Sequence, residues 1–159
     1  MAKYFTIKDN DKLYKKIVAD VNKIKDDQPY VKIGFPEENV ESKTGASGLT
    51  VAQVATFHEF GTENIPERSF IRSAVAENRD KISKLIEGLK PSILQGSSLK
   101  ALSIVGEYVQ TLIKSKIQTG DSSWAELRPS TIRRKGSSKA LIDTGQMLNS
   151  VRYVVKGKS

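Results

Sequence analysis

Cysteine is absent from this chain of 159 residues, and histidine and tryptophan occur once each. Without cysteine there is no disulfide framework, no thiolate zinc site and no thiol nucleophile, which fits a reducing compartment. A zinc protease needs two histidines one helical turn apart with a glutamate between them. In "TFHEFGTENIPERSFIR" the pair His58-Glu59 is followed a turn later by Thr62, so the stretch does not read as a metal centre. No run approaches the roughly 18 apolar residues of a membrane span, and the start "MAKYFTIKDNDKLYKK" lacks the apolar core of a signal peptide. "GASG" is not followed by the Gly-Lys-Ser/Thr that grips phosphates, and no serine has a matched histidine. Trp124 and the spread tyrosines do not interleave with arginines as base-stacking platforms would. These absences leave no catalytic set, no cofactor and no metal, and point to a non-enzymatic protein made in the cytoplasm.

What the chain has in surplus is positive charge. The net charge of +8 is uneven: residues 1–99 carry 15 Lys/Arg against 14 Asp/Glu, residues 100–159 carry 11 against 4. The basic last third suits nucleic acid, an acidic protein surface, or solvent alone. At 38% apolar residues the composition supports one domain over 1–159 with a real core.

The periodicities predict an α+β fold, about four main helices packed on a small, mostly antiparallel sheet. Asp9 or Asn10 caps a first helix whose Leu13, Ile17, Val21 and Ile24 form one apolar face and which ends before Pro29. "YVKIGF" alternates as a half-buried strand, with Val31, Ile33 and Phe35 on one side, and its natural partner is the closing strand "SVRYVVK". Residues 36–48 read as a long exposed loop and the final "KGKS" as a frayed tail. Thr50 and Gln53 make a capping box for a helix that Gly61 stops. A longer helix is predicted from a Ser69 cap through Leu89 to Pro91, and another from Ser98 to about Ile117. Pro129 opens a brief basic helix that Gly136 stops, and Asp143 or Thr144 caps a last short turn.

Two stretches invite a chemical reading. "LIDTGQ" has the local pattern of an aspartic protease loop, but only 13 residues follow Gln146, too few for the sheet and cleft wall of a protease half-domain. The cap explains Asp143 and Thr144 without further parts. In the opening stretch Gly61 ends a helix, Pro66 stiffens the turn, and Arg68 and Arg72 flank Phe70 at the next helix start. Glu59 and Glu67 are placed to pair with such arginines on the same chain or on a neighbour. The corner suits a protein contact, or Phe70 closes the core of the monomer.

Taken in order, "VAQVATFHEFGTENIPERSFIRSAV", "WAELRPSTIRRKG" and "ALIDTGQMLNSVRYVV" resemble the tail-completion or neck proteins of long-tailed bacteriophages, including the Mu-like virion-morphogenesis group. The matching positions are His58, Glu59, Phe60, Gly61 and Thr62; Ile65, Pro66, Arg68 and Phe70; Pro129, Ser130, Thr131 and Lys135; and Leu141, Ile142, Asp143, Thr144 and Gly145. Arg128 between Leu127 and Pro129, and Ser69 where proline is frequent, depart from the pattern. The resemblance implies a structural virion component that forms a homo-oligomeric ring where head and tail join. Its expected neighbours are a tail-tube or tail-terminator protein and head-connector proteins, with passage of DNA without specific binding and no membrane. Candidate contact residues are Arg68, Phe70, Arg72, Arg133, Arg134 and Lys135; His58, Glu59, Gly61, Pro66, Asp143, Thr144 and Gly145 are structural. The alternative is a basic protein that binds nucleic acid directly.

Overall fold

A computed structural model describes residues 10–36, 43–44 and 48–157. Among them the order is α1 (Asn10–Asp27), β1 (Tyr30–Gly34), β2 (Lys43–Thr44), β3 (Leu49–Thr50), α2 (Val51–Phe60), α3 (Ile71–Glu77), α4 (Arg79–Leu94), α5 (Ser98–Thr119), α6 (Pro129–Lys135), α7 (Gln146–Ser150) and β4 (Arg152–Lys156). The fold is α+β, as the periodicities imply. β1 and β4 pair antiparallel in the register Val31↔Val155 and Ile33↔Tyr153, so residues of the same alternation meet on one face.

That face is covered by α5, the central helix. Gly106 makes the close approach possible: a Cβ there would lie 2.6 Å from Cδ2 of Tyr153 and 2.9 Å from Cγ2 of Val31. Val109, Ile113 and Ile117, at helical spacing along α5, are buried with Val51, Ala55, Phe70, Ala74, Leu141, Met147 and Val151 in the main core cluster. The core therefore draws on α2, α3, α5, α7 and the segments leading into α7 and β4, and it holds the 56–72 corner against the body.

Four expectations need correction. The helix predicted from Ser69 to Leu89 is broken at Asn78, whose φ of −112° and ψ of 15° separate α3 from α4 while its Nδ2 donates to Ala74 O at 2.9 Å. Pro91 does not stop α4, which runs on to Leu94. Proline in the last turn loses one backbone hydrogen bond on an exposed helix, and the next carbonyls still accept from Gln95. The apolar stripe of α1 is only partly packed: Ile24 is half-buried and the helix touches α4, but Ile17 and Val21 are 39–40% exposed, beside Val18 at 39% and Tyr14 at 67%. Lastly, most of the loop expected over 36–48 lies outside the described residues, and the described pair Lys43–Thr44 is not loop but bridges antiparallel to Leu49–Thr50. Residues 158–159 of the expected frayed tail also lie outside the described residues.

Candidate functional site

The corner begins with the capping box of α2, in which Thr50 N donates to Gln53 Oε1 at 2.8 Å and Gln53 N to Thr50 Oγ1 at 3.2 Å. α2 ends at Gly61, whose φ of 73° only glycine adopts without strain. The chain then folds back: Thr62 N donates to Ile65 O at 2.8 Å and Arg68 N to His58 O at 2.7 Å. A side chain at Gly61 would meet the backbone of Glu67 at 3.0 Å, which closes this position to other residues. Pro66 stands exposed between these two contacts, where its missing N–H costs nothing.

Glu59, only 3% exposed, is the keystone of the corner. Its Oε2 accepts from the N–H groups of Phe70 (2.7 Å) and Ile71 (2.9 Å), and its Oε1 from Arg72 N (2.9 Å) and Ser69 Oγ (3.1 Å). The first turn of α3 has no side-chain cap of its own. A carboxylate from the preceding helix takes that place, satisfying three otherwise orphaned donors and opposing the positive end of the α3 dipole. The Ser69 hydroxyl thus donates to the true cap and is not the cap itself. Burial pushes the Glu59 carboxyl up, but the N–H groups of Ile71, Arg72 and Phe70 and the Arg72 guanidinium outweigh it and hold the group below its ordinary value.

Arg72 completes the lock from outside. Its Nε reaches Glu59 Oε1 at 3.0 Å, while NH2 reaches both Glu59 O at 2.8 Å and Glu67 Oε1 at 2.7 Å. The guanidinium also lies 4.7 Å from the centroid of the exposed Phe60 ring. Both glutamates singled out in the sequence therefore pair with an arginine of the same chain. Arg72 keeps half its side-chain surface in solvent, with Phe60 beside it.

Arg68 and Phe70 are placed otherwise. Phe70 is fully buried and edge-on to Phe35, with ring centroids 6.2 Å apart, so it closes the core of the monomer. Arg68 is 4% exposed and donates through NH2 to Ala125 O at 2.9 Å, tying the corner to the segment before α6. His58 is half-buried, and burial first, then the charges of Arg68 and Lys135, lower its pKa to about 4. It is a neutral imidazole near pH 7.

In α6, Arg133 and Arg134 are exposed, whereas Lys135 turns back to donate to Lys139 O at 3.0 Å and Ala140 O at 3.1 Å. Gly136, at φ 66°, stops the helix as expected. Asp143 is exposed and makes no capping bond; Gly145 is the N-cap of α7, and Thr144 Oγ1 accepts from Gln146 N at 3.3 Å. Of the six candidate contact residues, Arg72, Arg133 and Arg134 present charge to solvent, while Arg68, Phe70 and Lys135 build the monomer.

Two features escaped the sequence reading. Lys116, near the end of α5, donates to Glu77 at 2.7 Å and Asp121 at 2.5 Å, and the Lys116 ammonium with the Ser123 donors holds Asp121 well below the carboxylate range. Beside it a cleft of about 480 Å³ is walled by Ile117, Trp124, Leu127, Ile132, Lys139 and Ala140, among others. The lone tryptophan was the signal available, since a half-buried Trp outside any periodic element marks a packed loop. Among the described residues no group of three or more His, Asp or Glu is placed to hold a metal ion, and no helix is long and apolar enough to cross a membrane. Comparison with family models, curated proteins and solved structures gives no match.

Proposed function

We propose that this protein is a non-enzymatic structural component of a tailed bacteriophage virion, a tail-completion or neck protein that assembles as a ring at the head–tail junction and joins head to tail. The observation that carries the reading is α1: an 18-residue helix with Tyr14, Ile17, Val18 and Val21 on one face, each at least 39% exposed among the described residues. An isolated amphipathic helix gains little in water, and its stability comes from packing its apolar face. A chain made to be monomeric has no use for such a face, whereas an assembly subunit does. The exposed Arg133 and Arg134, and Arg72 with Phe60, add charged and aromatic contacts of the kind that position partners. The partners in this reading are further copies of the chain, a tail-tube or tail-terminator protein and head-connector proteins, with DNA passing through the ring.

The reading is tested by mass photometry and negative-stain electron microscopy of the purified protein over a range of concentrations. Closed rings, lost in Ile17→Glu/Val21→Glu while the circular dichroism spectrum is retained, are the expected result. A monomer at every concentration, combined with DNA affinity that falls steeply with salt, would favour direct nucleic-acid binding by the basic last third.

A further inference from the structure

The cleft between α6 and the segment that follows α5 has an apolar lining and a basic rim. Ile117, buried near the end of α5, the half-buried Trp124, Leu127 and Ile132, and Ala140 border its volume of about 480 Å³. Lys139 stands exposed in the wall, and Arg128, Arg133 and Arg134 are exposed on the positions next to Leu127 and Ile132. Residues 119–140 carry five Lys/Arg against two Asp/Glu, and one of the two, Asp121, already binds Lys116 at 2.5 Å. One wall is also open along its backbone. Residues 125–128 form neither helix nor strand, Arg128 is extended at φ −61° and ψ 141°, and the N–H and C=O groups of Glu126 and Leu127 make no hydrogen bond among the described residues. Open main-chain groups beside a pocket for a side chain are what an extended peptide pairs with.

We propose that this cleft binds an extended acidic segment of another protein, seating one bulky aliphatic or aromatic side chain against Trp124 and Ile117 while its carboxylates meet Arg128, Arg133 and Arg134. The volume falls within the roughly 300–1,000 Å³ of ordinary ligand sites and holds a side chain with the peptide units beside it. An apolar anchor in a desolvated pocket, ringed by polar and charged groups, is the arrangement that carries binding energy at protein contacts. A nucleobase fits less well, because its polar edges find no partner on Ile117, Leu127 and Ile132, and its phosphate would lie near the carboxylates of Asp121 and Glu126. The carboxylates of a peptide lie to either side of the anchor, along the rim. This assignment rests on the reading of Arg133 and Arg134 as partner contacts and is independent of α1 and of ring formation.

Trp124, the only tryptophan in the chain, reports on the cleft directly. The experiment titrates the full chain with tryptophan-free synthetic peptides while following its emission: peptides with a central Leu or Phe flanked on both sides by Asp and Glu, the same anchors flanked by Lys, and the acidic flanks around Gly. The expected result is saturable binding of one acidic anchor peptide per chain, weaker by about tenfold or more for the Lys-flanked and Gly-centred controls and in Arg133→Glu/Arg134→Glu. Ile132→Asp, which puts a carboxylate in the apolar wall, should abolish it. Absence of a saturable emission change at millimolar acidic peptide overturns the proposal, as does equal binding of the Lys-flanked peptide or an unchanged affinity in Arg133→Glu/Arg134→Glu. Tighter binding of a single-stranded oligonucleotide would overturn it in favour of nucleic acid, and an emission change with protein concentration alone in favour of a second copy. Should Ile132→Asp fail to fold, Arg133→Glu/Arg134→Glu and the peptide controls decide. Rings without peptide binding would remove this site and leave the assembly role standing, whereas peptide binding by a protein that stays monomeric would do the reverse.

Discussion

Oε1 of Glu59 accepts from both the backbone N and the side-chain Nε of Arg72, at 2.9 and 3.0 Å, so a residue in the last turn of α2 fixes the first turn of α3 across a sharp corner. Each partner is held by more than the other: Glu59 also caps Phe70 and Ile71, and Arg72 also reaches Glu59 O and Glu67. Removing the carboxylate leaves buried N–H groups without acceptors. Glu59→Ala should therefore cost about 3–5 kcal/mol and Glu59→Gln, which keeps one acceptor oxygen, about 2 kcal/mol, read from urea denaturation. Equal stability of Glu59→Ala and wild type would show that the cap is dispensable.

Acid should unfold the protein through the same corner. His58 has its pKa depressed from 6.5 to about 4, so the unfolded chain binds the proton more readily throughout that window. Its contribution to stability is full above about pH 6.5 and is lost as pH falls through 4, on the order of 3 kcal/mol in total. Glu59, also depressed, works in the same direction at lower pH: its contribution is present above the ordinary carboxyl value of 4.5 and disappears below the lowered one. Denaturation curves between pH 7 and 4 should show a slope that flattens in His58→Phe. An unchanged slope in that variant would assign the acid sensitivity elsewhere.

Gly106 separates packing from propensity. Alanine in mid-helix is worth about 1 kcal/mol over glycine. Here its methyl group collides with Tyr153 and Val31 across the helix–sheet contact, and overpacking of that kind costs about 1–3 kcal/mol. The expected outcome for Gly106→Ala is net destabilisation of up to about 2 kcal/mol, with Gly106→Ala/Tyr153→Leu recovering part of it in thermal melts. A stabilised single variant would mean that the sheet gives way freely.

Elements with a local rule were legible in the sequence. The capping box at Thr50 and Gln53, the glycine stops at 61 and 136, Pro129 opening α6, and the alternation within β1 and within β4 all depend on residues a few positions apart, and all stand in the structure, where β1 and β4 pair. The corner was legible as a corner but not in its wiring. Capping rules look three residues ahead, whereas Glu59 reaches donors 11 to 13 residues away, a relation only the fold creates. The break at Asn78 was hidden for a similar reason, since the apolar period carries on across it and the side chain bends back to Ala74. Nor does sequence distinguish an apolar stripe that packs along its whole length from one that packs at one end, as α1 does.

Charge reversal now divides the arginines that sequence alone treated together. Arg68→Glu places a carboxylate in the closed interior and removes the bond to Ala125, so it should cost about 3–5 kcal/mol and lower the melting midpoint sharply. Arg133→Glu/Arg134→Glu changes two exposed side chains and should leave the midpoint unchanged while weakening assembly, because like charges then face each other across the contact. Differential scanning fluorimetry with a sedimentation assay reads both effects. Normal assembly by the α6 double variant would remove α6 from the contact surface.

The proposed joining role is tested most directly by electron microscopy of lysates from a phage deleted for this gene. The account predicts DNA-filled heads and complete tails accumulating side by side, unjoined, with infectious particles restored by the wild-type gene but not by Ile17→Glu/Val21→Glu. Joined, infectious particles in the deleted lysate would contradict it.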